Sequence, residues 1–481
     1  MALRYVAKTR SFKATLREER DSRSEVVTTL LWGDPLHVLA EEDGWTQVRA
    51  RGKRPGWLPS DAVSDESLLE IYIIDVGQGD GVLFKTPDGK WHLVDAGVEN
   101  AKQMTKKGAA NFVRWKFLED LREETVRLEN VVLTHPDADH FGGLLDLFSG
   151  RLAFHPRFEV DVERFFHNGI PRYAATPRIG RTSTGTVKEF PVDRGLSRPG
   201  KFLEAELVDA VDSFVEPPRP FAEEYGRLAA AVAEVPRSVA RLSRAGGHLP
   251  GYAPGEGDVS IRVLGPILEE FAPGRFGLRV LGSDSVTLNG HSVVLRIDYE
   301  QTSILLTGDL NSESQELLLS YEPGDAFAVD VAKACHHGSE DVHVDFLKAM
   351  RPRATVVSSG DNEDYAHPRP FLMGAAGRYG REARGRTRTE VLPPLVYSTE
   401  LARSVKLEYA RSQRPGALEE TEVELADKRW RFRRLKYLPV SSDLVYGLVN
   451  VRTDGEHVIC ATMEEKGNDF DTKVFKAGID V

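Results

Sequence analysis

The segment VVLTHPDADHFGGL constrains the fold more than any other part of the chain. An apolar strand is predicted at its start, and two imidazoles and two carboxylates follow within six positions, at His135, Asp137, Asp139 and His140. Buried together without a cation, two carboxylates repel and raise each other's pKa, whereas a divalent metal turns them into ligands. A lone His or Asp would be an ordinary polar residue, but this spacing predicts a metal site at the end of a strand.

Several other apolar segments also end in His, Asp or Gly. They are IYIIDVGQGD, WHLVDAG, SILLTGD, AVDVAKACHHGS and ATVVSSG. Helix-compatible segments alternate with them, which is typical of an α/β protein whose site is assembled from loops at strand ends.

The length, net charge and cysteine content of the chain exclude several classes of protein. The 481 residues allow about two to four domains. The formal net charge of −11 argues against nonspecific coating of polyanions but leaves room for a local basic surface. The two cysteines, Cys335 and Cys460, cannot form a disulfide framework or a four-thiolate zinc site. The start lacks a secretory signal and no apolar run approaches the roughly 18 residues that span a bilayer, so we expect a cytoplasmic protein without membrane insertion.

The loop motif resembles that of the metallo-β-lactamase superfamily, H-x-H-x-D-H followed by Gly-Gly, with Asp137 at the second His position. Together with four further motifs, it resembles one branch in particular, the hydrolase domain of ComEC-like competence DNA-channel proteins. These motifs are D-V-G-Q-G-D at 75–80, L-L-T-G-D ending at Asp309, H-H-G-S at 336–339 and His367-Pro368. The resemblance covers about residues 66–412 and implies an αββα sandwich with metal-dependent hydrolase activity.

The resemblance also implies a centre of two divalent metal ions. Its ligands are assigned by position: His135 and Asp137 to the first ion, Asp139 and His140 to the second, Asp309 to both as a bridge, and His367 to the second. His367 follows the strand ATVVSSG as ligands of the family follow their strands, and a turn histidine before Pro368 is the alternative.

Three carboxylates are assigned to positions behind the ligands. Asp95, in LVDAG, resembles the family's Asp that orients the metal loop, with a plain turn residue as the alternative. Asp75 and Asp80 flank the Gly-Gln-Gly bend, where they either shape the floor of the cleft or only stabilise the bend.

The H-H-G-S motif is assigned to catalysis. Successive side chains on a strand alternate faces, so at least one of His336 and His337 must lie on a turn if both serve the site. Both are predicted to contact the substrate phosphate or to protonate the leaving group, acting with the catalytic Asp139 and Asp309, and one of them remains open as a metal ligand. Ser339 is assigned to substrate. The neighbouring Cys335, at the end of an apolar strand, is interpreted as a core residue rather than a ligand.

The chain departs from the superfamily where many members place a further His. Asn289 lies nearest that position and is predicted to contact metal or substrate, with His291 as the alternative. An oxygen-rich first site shifts preference toward manganese, while zinc binds more tightly in general, so both are expected. Two ions about 3.5–4 Å apart would activate a bridging hydroxide and clamp the oxygens of an in-line displacement, which suits phosphodiester hydrolysis.

The rest of the chain divides into three further parts. Residues 1–63 resemble a bacterial SH3-like β barrel, interpreted as a structural module or a docking site for a protein partner; such domains often bind cell-wall peptides. Within the hydrolase domain, about residues 150–258 are predicted to form an insertion or lid that walls the substrate cleft. Residues 413–481 are predicted to be a β-rich extension with a hairpin at Asp454 and Gly455.

Two basic tracts bear on the substrate. GRYGREARGRTRT supplies Arg384, Arg386 and Arg388, and KRWRFRRLKY interleaves basic with aromatic residues; these either contact DNA or form ordinary solvated faces. The favoured hypothesis is a nuclease or phosphodiesterase acting on DNA. The alternatives are a hydrolase of a small phosphodiester, such as a cyclic nucleotide or a phosphocholine-type ester, and an adaptor acting through its SH3-like module.

Overall fold

Short alternating segments separated by turns build the N-terminal domain. The structure, a computed structural model, describes residues 3–103, 108–188, 190–192, 197–203, 211–359, 367–387, 389–399, 418–425, 428–435, 448–463 and 469–478. The strands of this domain are β1 Leu3–Val6, β2 Lys13–Arg17, β3 Val26–Leu31, β4 Pro35–Glu42, β5 Trp45–Arg49, β6 Gly56–Pro59 and β7 Val63–Ser64. They form one antiparallel sheet around Leu16, Leu36 and Val48. Asp43 and Gly44, both with positive φ, close the β4–β5 hairpin.

The loop with His135, Asp137, Asp139 and His140 lies in the part of the chain that follows the N-terminal domain. This part forms the first strands of a large sheet, called here the first sheet. Its elements are β8 Leu69–Ile73, β9 Gly81–Lys85, β10 Trp91–Ala96, α1 Ala109–Arg114, β11 Thr125–Val132, α2 Ala138–Ser149 and β12 Glu159–His167. Strands β8, β9 and β10 are antiparallel neighbours, whereas β10, β11 and β12 are parallel. The carboxyl ends of β10 and β11 therefore meet at one edge.

The predicted lid, about residues 150–258, lies only partly outside the sandwich. Besides β12, it contains β13 Thr182–Val187, β14 Arg198–Leu203, α3 Val211–Val215, α4 Glu223–Glu234 and β15 Pro236–Arg241. Strand β15 pairs in parallel with β12 and is the edge of the first sheet. Helix α4 ends just before Pro236, which is the first residue of this edge strand, a position that tolerates a residue without an N–H.

The second sheet follows. Its part of the chain contains β16 Val259–Gly265, β17 Glu269–Ala272, β18 Arg275–Arg279, α5 Asp284–Gly290, β19 Val294–Tyr299, β20 Thr302–Leu306, α6 Ser312–Tyr321, β21 Val331–Lys333, α7 Val344–Met350, β22 Ala354–Val357 and α8 Pro370–Tyr379. Strands β20, β21 and β22 are parallel neighbours, so their carboxyl ends also share an edge. Strands β17 and β18 pair with β13 and β14 in a separate side sheet.

The predicted C-terminal extension is built into the sandwich. The remaining strands are β23 Ala383–Arg384, β24 Val391–Leu392, β25 Leu395–Ser398, β26 Leu418–Leu425, β27 Lys428–Leu435, β28 Val449–Thr453, β29 His457–Met463 and β30 Phe470–Lys476. Strand β28 pairs with β8, so β28, β29 and β30 complete a nine-stranded first sheet. The hairpin predicted at Asp454 and Gly455 joins β28 to β29.

Two sheets packed face to face with helices outside give the αββα arrangement. Apolar residues of both sheets, among them Ile71, Val94, Leu295 and Val356, form the central layer. Helices α1, α2 and α4 cover the first sheet, and α6, α7 and α8 cover the second. In the described part of the chain, no helix has the length and apolar character needed to cross a membrane.

Candidate metal centre

The loop after β11 is held by Asp95, at the end of β10. The backbone N and Oγ1 of Thr134 donate to the two carboxylate oxygens of Asp95 at 2.8 and 2.6 Å. Helix α2 then begins against β10 with almost no space between them. A Cβ at Gly143 would lie 2.0 Å from the carbonyl oxygen of Ala96, and one at Gly142 would lie 2.4 Å from the backbone N of Glu99. The Gly-Gly pair is therefore required for this close approach.

Three imidazoles from two distant segments converge on Asp309. The Nε2 atoms of His135, His140 and His337 lie 4.0, 3.3 and 2.9 Å from Asp309 Oδ2. All three atoms are buried, and none makes a well-aligned hydrogen bond among the residues that the structure describes, although His140 and His337 lie within ion-pair distance of Asp309. Buried nitrogen atoms are normally satisfied, so donor atoms left without partners around one carboxylate fit a divalent metal ion.

The far side of each imidazole is held by the protein. Nδ1 of His140 pairs with Asp95 Oδ2 at 2.8 Å, and Nδ1 of His337 lies 3.2 Å from Asp80 Oδ1. Nδ1 of His135 is bracketed by the hydroxyls of Thr134 and Ser292, at 3.1 and 3.2 Å. Contacts at Nδ1 orient a ring and leave Nε2 as the coordinating atom.

Both histidines of the H-H-G-S motif lie on a turn. His336, His337 and Gly338 have φ values of 44, 50 and 85°, an uncommon run of left-handed residues that marks stored backbone strain. The turn aims both rings at one carboxylate, since His336 Nε2 lies 3.8 Å from Asp309 Oδ2. His336 Nε2 also lies 3.4 Å from Asn289 Nδ2, so Asn289 borders the cluster.

The remaining loop carboxylates border the same cluster. Asp137 Oδ2 lies 4.0 Å from His135 Nε2, and Asp139 Oδ2 lies 3.9 Å from His337 Nε2. Asp75 lies further back, where its Oδ1 accepts from the backbone N of Gly77 on the bend.

Two other assigned residues lie outside the group of donor atoms. His367 lies beside His336, with ring centroids 5.7 Å apart, and belongs to none of the His/Asp groups whose donor atoms are within 4.8 Å of one another. His337, not His367, reaches Asp309 among the described residues, because the turn places its ring between Asp80 and Asp309. Ser339 is buried, and its Oγ accepts from the backbone N of Asp341.

The basic tract assigned to substrate lies against the N-terminal domain. The Arg386 guanidinium is 5.7 Å from the ring centroid of Phe12 and donates to Thr472 at 3.3 Å. Arg384 is half-buried in β23. Arg388 lies outside the described residues, as do the side chains of KRWRFRR, whose backbone forms β27. The packing of Arg386 against β30 is a tertiary contact that its place in the sequence does not reveal.

Charges inside the cluster shift the pKa values of its members in opposite directions. Burial alone would lower the pKa of His140 and His337. The carboxylate of Asp309 nevertheless raises both, with Asp95 assisting at His140 and Asp80 at His337, where the pKa rises to about 10. Burial would raise the pKa of Asp309, but His337 and His140 hold it well below its ordinary value. Coordination needs neutral imidazoles, so a divalent ion would displace these protons.

A buried lysine and a loop arginine also belong to the site, although the motifs did not indicate them. Lys333 Nζ pairs with Asp80, donates to the carbonyl of Gly308 at 2.9 Å and lies 3.8 Å from Asp309 Oδ1. A lysine inside the apolar segment VAKAC was the available signal. Arg172 Nη2 lies 2.5 Å from Asp137 Oδ1. No sequence signal marked Arg172, because it comes from the loop after β12.

Comparisons with known proteins show family matches for two parts of the chain. The family model described as the metallo-beta-lactamase superfamily matches residues 74–360, and the bacterial SH3 domain model matches residues 13–64. The chain is 33% identical over 91 residues to ComE operon protein 3 of Bacillus subtilis (strain 168) and 33% identical over 93 residues to competence protein ComA of Neisseria gonorrhoeae. Each match covers 19% of this chain, and the chain spans only 12% and 13% of these relatives' own lengths.

Solved structures of low sequence identity also match. The metallo-beta-lactamase fold protein YhfI from Bacillus subtilis is 11% identical with a TM-score of 0.31, over 68% of this chain and 96% of that one. Zn(2+)-bound PqqB from Methylobacterium extorquens is 9% identical with a TM-score of 0.32, over 64% of this chain and 96% of that one.

Proposed function

This chain belongs to the metallo-β-lactamase superfamily, whose family model covers residues 74–360, and from that premise we propose that it is a metal-dependent phosphodiesterase that cleaves DNA. The observation that carries the proposal is the convergence of three buried Nε2 atoms, which lack well-aligned hydrogen bonds in the described part of the chain, on the carboxylate of Asp309. Binding a divalent ion satisfies these atoms at once, whereas an apolar or hydrogen-bonding ligand would leave several of them unpaired.

The cluster divides into two sets of ligands that share Asp309. His140, Asp139 and His337 would hold one ion. His135 and Asp137, whose Nε2 and Oδ2 atoms lie 4.0 Å apart, would hold the other, and Asn289 borders the cluster at His336. Bound divalent ions would supply Lewis-acid activation of water and of a phosphoryl oxygen. The oxygen-rich set, which contains His135 and Asp137, suits manganese, and zinc is the alternative.

His336 is suited to the substrate side of the centre. Its side chain is 28% exposed, more than Asp309 at 3%, and its Nδ1 has no hydrogen-bond partner among the described residues. Burial lowers the pKa of His336, which keeps the imidazole neutral and able to donate to a phosphoryl oxygen. We assign it to phosphate contact, because a neutral imidazole whose pKa is lowered donates a hydrogen bond but is too weak an acid to protonate the leaving group.

Lys333 balances the charge of the cluster. Burial opposes its charged form, but Asp80 and Asp309 raise the pKa of Lys333 above its ordinary value, so it stays a cation. A fixed cation beside Asp80 and Asp309 reduces the repulsion among the carboxylates and holds them in place for the metal.

DNA is favoured as the substrate by the matched relatives. ComE operon protein 3 and competence protein ComA each match 19% of this chain, and the name of ComA refers to competence. A two-metal site suits the in-line displacement at a phosphodiester, which is the bond that DNA offers. A small phosphodiester is the alternative outcome of the test.

The test compares substrates and variants under controlled metal. Purified protein is incubated with labelled single- and double-stranded DNA, RNA and small phosphodiesters, in Mn²⁺, Zn²⁺ or chelator. His337→Ala should lose about a hundredfold or more in rate and bind less metal by elemental analysis. His155→Ala, at an exposed histidine, is the matched control. Chelator-resistant cleavage, or equal rates in both variants, contradicts the proposal, and cleavage of small esters alone selects the alternative.

A further inference from the structure

We propose that Arg172 and Arg178 bind the phosphate groups that flank the scissile bond of a nucleic-acid chain, which rests on the phosphodiesterase function proposed above. This commits the substrate class to a chain with several phosphates. A small ester has a single phosphate, which the metal centre itself would occupy.

A groove of about 720 Å³ opens beside the metal-centre residues. The loop after β12 contributes Arg172 and Arg178 to its lining, and helix α5 contributes Asp284 and Leu288. Two lining residues connect the groove to the cluster: Arg172 bonds Asp137, and Leu288 precedes Asn289 in the chain. The volume is within the roughly 300–1,000 Å³ of typical ligand sites, and a chain leaving the centre on this side enters the groove.

Arg172 has hydrogen-bond donors to spare. Its Nη2 donates to Asp137 Oδ1 at 2.5 Å, while its Nε is buried without an acceptor in the described part of the chain. The Arg172 side chain is nevertheless 37% exposed and lines the groove, so the exposed part of the guanidinium can meet a phosphate oxygen. The guanidinium presents five donors in a rigid plane, so one group can hold Asp137 and a phosphate together.

Arg178 supplies charge further along the same loop. Its side chain is exposed and has no hydrogen-bond or ion-pair partner among the described residues. The lining also carries the acidic residues Glu223 and Asp284. The phosphate backbone of a nucleic acid is therefore attracted to the arginine side of the groove and repelled by Glu223 and Asp284. In that orientation the nucleobases face the two carboxylates, which can accept hydrogen bonds from the amino groups of the bases.

The first measurement compares substrates with one and several phosphates. The ratio of kcat/KM for a single-stranded hexanucleotide to kcat/KM for a dinucleotide is determined with Mn²⁺ for the wild type, Arg178→Gln and Arg172→Lys. We expect the ratio to fall about tenfold in Arg178→Gln, because a charged contact to the flanking phosphate is lost. Arg172→Lys keeps the positive charge but loses the planar guanidinium that can bond Asp137 and a phosphate together, so this variant should also lower the ratio.

The matched control is Arg151→Gln, at an exposed arginine outside the groove lining, which should leave the ratio unchanged. A second readout does not depend on turnover. Anisotropy of a labelled hexanucleotide is followed against salt in chelator, where the slope of log K against log salt should shrink by about 0.7 in Arg178→Gln. Replacing the hexanucleotide's phosphates by uncharged methylphosphonates should abolish the difference between wild type and variant.

The outcomes separate this proposal from the function on which it rests. If the wild type shows no metal-dependent cleavage of any phosphodiester, the proposed function fails. If it cleaves but Arg178→Gln matches Arg151→Gln in both the ratio and the salt slope, the function stands and the phosphate site is overturned.

Discussion

At the scale of single residues, Asp95 shows how one side chain orients the predicted ligands of a candidate metal site. It has a positive φ of 55° and bonds both Thr134 and His140. The turn places its carboxylate under the loop, so it sets the orientation of His140 and the path of the chain together.

The role of Asp95 predicts a loss of metal affinity. Asp95→Ala should weaken Mn²⁺ or Zn²⁺ binding about ten- to a hundredfold, because the His140 ring loses its anchor. Calorimetric titration of the metal-free protein measures this. Asp61→Asn, at an exposed carboxylate of the N-terminal domain, serves as control, and equal affinities in the two variants would refute the assignment.

Histidines near the site illustrate the limit of reasoning from residue type. The sequence placed His336, His337 and His367 near the centre, but the choice between them depends on a three-residue turn. The left-handed backbone at His336 and His337, which is rare for residues other than glycine, carries the His337 ring onto Asp309. No local propensity predicts such a strained turn, because the surrounding packing maintains it.

At the scale of elements, the closest contact of the site is helix α2 against β10. The missing Cβ atoms of Gly142 and Gly143 let the helix start lie on the backbone of residues 96–99, which brings His140 to Asp95. The Gly-Gly pair of the motif thus has a steric explanation.

This contact predicts opposite effects for two Gly→Ala changes. Gly143→Ala should destabilise the fold by about 1–3 kcal/mol and reduce metal content, because the new methyl would overlap the Ala96 carbonyl. Gly374→Ala, in helix α8 with no atom within 4 Å of the added Cβ, should be neutral or stabilise by up to about 1 kcal/mol. Urea denaturation measures both, and a neutral Gly143→Ala would contradict the steric explanation.

At the scale of the whole molecule, the N-terminal domain is packed into the hydrolase. Phe12, Leu31 and Trp32 form one apolar cluster with residues of β29 and β30, including Ile459 and Phe470. Such burial favours the structural interpretation of this SH3-like domain over that of a free docking module. A protein partner would have to use another face.

A buried ion pair also connects the N-terminal domain to the hydrolase domain. Arg452, on β28, bonds Asp34 of the N-terminal domain at 2.7 Å, and both side chains are almost fully buried. Removing one member of a buried ion pair leaves the other unpaired.

The interface pair predicts a large stability effect. Arg452→Met should destabilise the protein by about 3–5 kcal/mol, because Asp34 loses its counter-charge. Arg20→Met, which removes the exposed pair with Glu42, should cost about 1 kcal/mol or less. Chemical denaturation compares them, and similar midpoints for the two variants would show that the buried pair is not critical.

The neighbouring pair of Glu70 and Lys85 makes stability depend on acid. Burial would raise the pKa of Glu70, but Lys85, 2.5 Å away, and Arg452 lower it from 4.5 to about 2. A lowered folded-state pKa stabilises the protein above about pH 4.5, and this contribution is lost as pH falls from 4.5 toward 2.

We therefore expect roughly 3 kcal/mol of unfolding free energy to disappear over that acid range. Urea midpoints between pH 6 and pH 2.5 measure the loss. The double variant Glu70→Gln, Lys85→Met removes both charges, so its midpoint should fall less steeply. Parallel curves for wild type and double variant would assign the acid sensitivity elsewhere.

The spacing of residues in the sequence predicted the loop of His and Asp residues, and resemblance to known families predicted the αββα sandwich and the SH3-like barrel. The structure and the comparisons confirm this fold. Residue type, spacing and periodicity are local properties of the chain. They were therefore enough to predict the loop with Asp137 and His140 and the strand that precedes it. The tertiary structure decided that His337 reaches Asp309, that Arg172 bonds Asp137, and that β28 pairs with β8 across the chain. Those contacts join segments that only the packing of two sheets brings together, and side-chain packing has no signature in the spacing of residues.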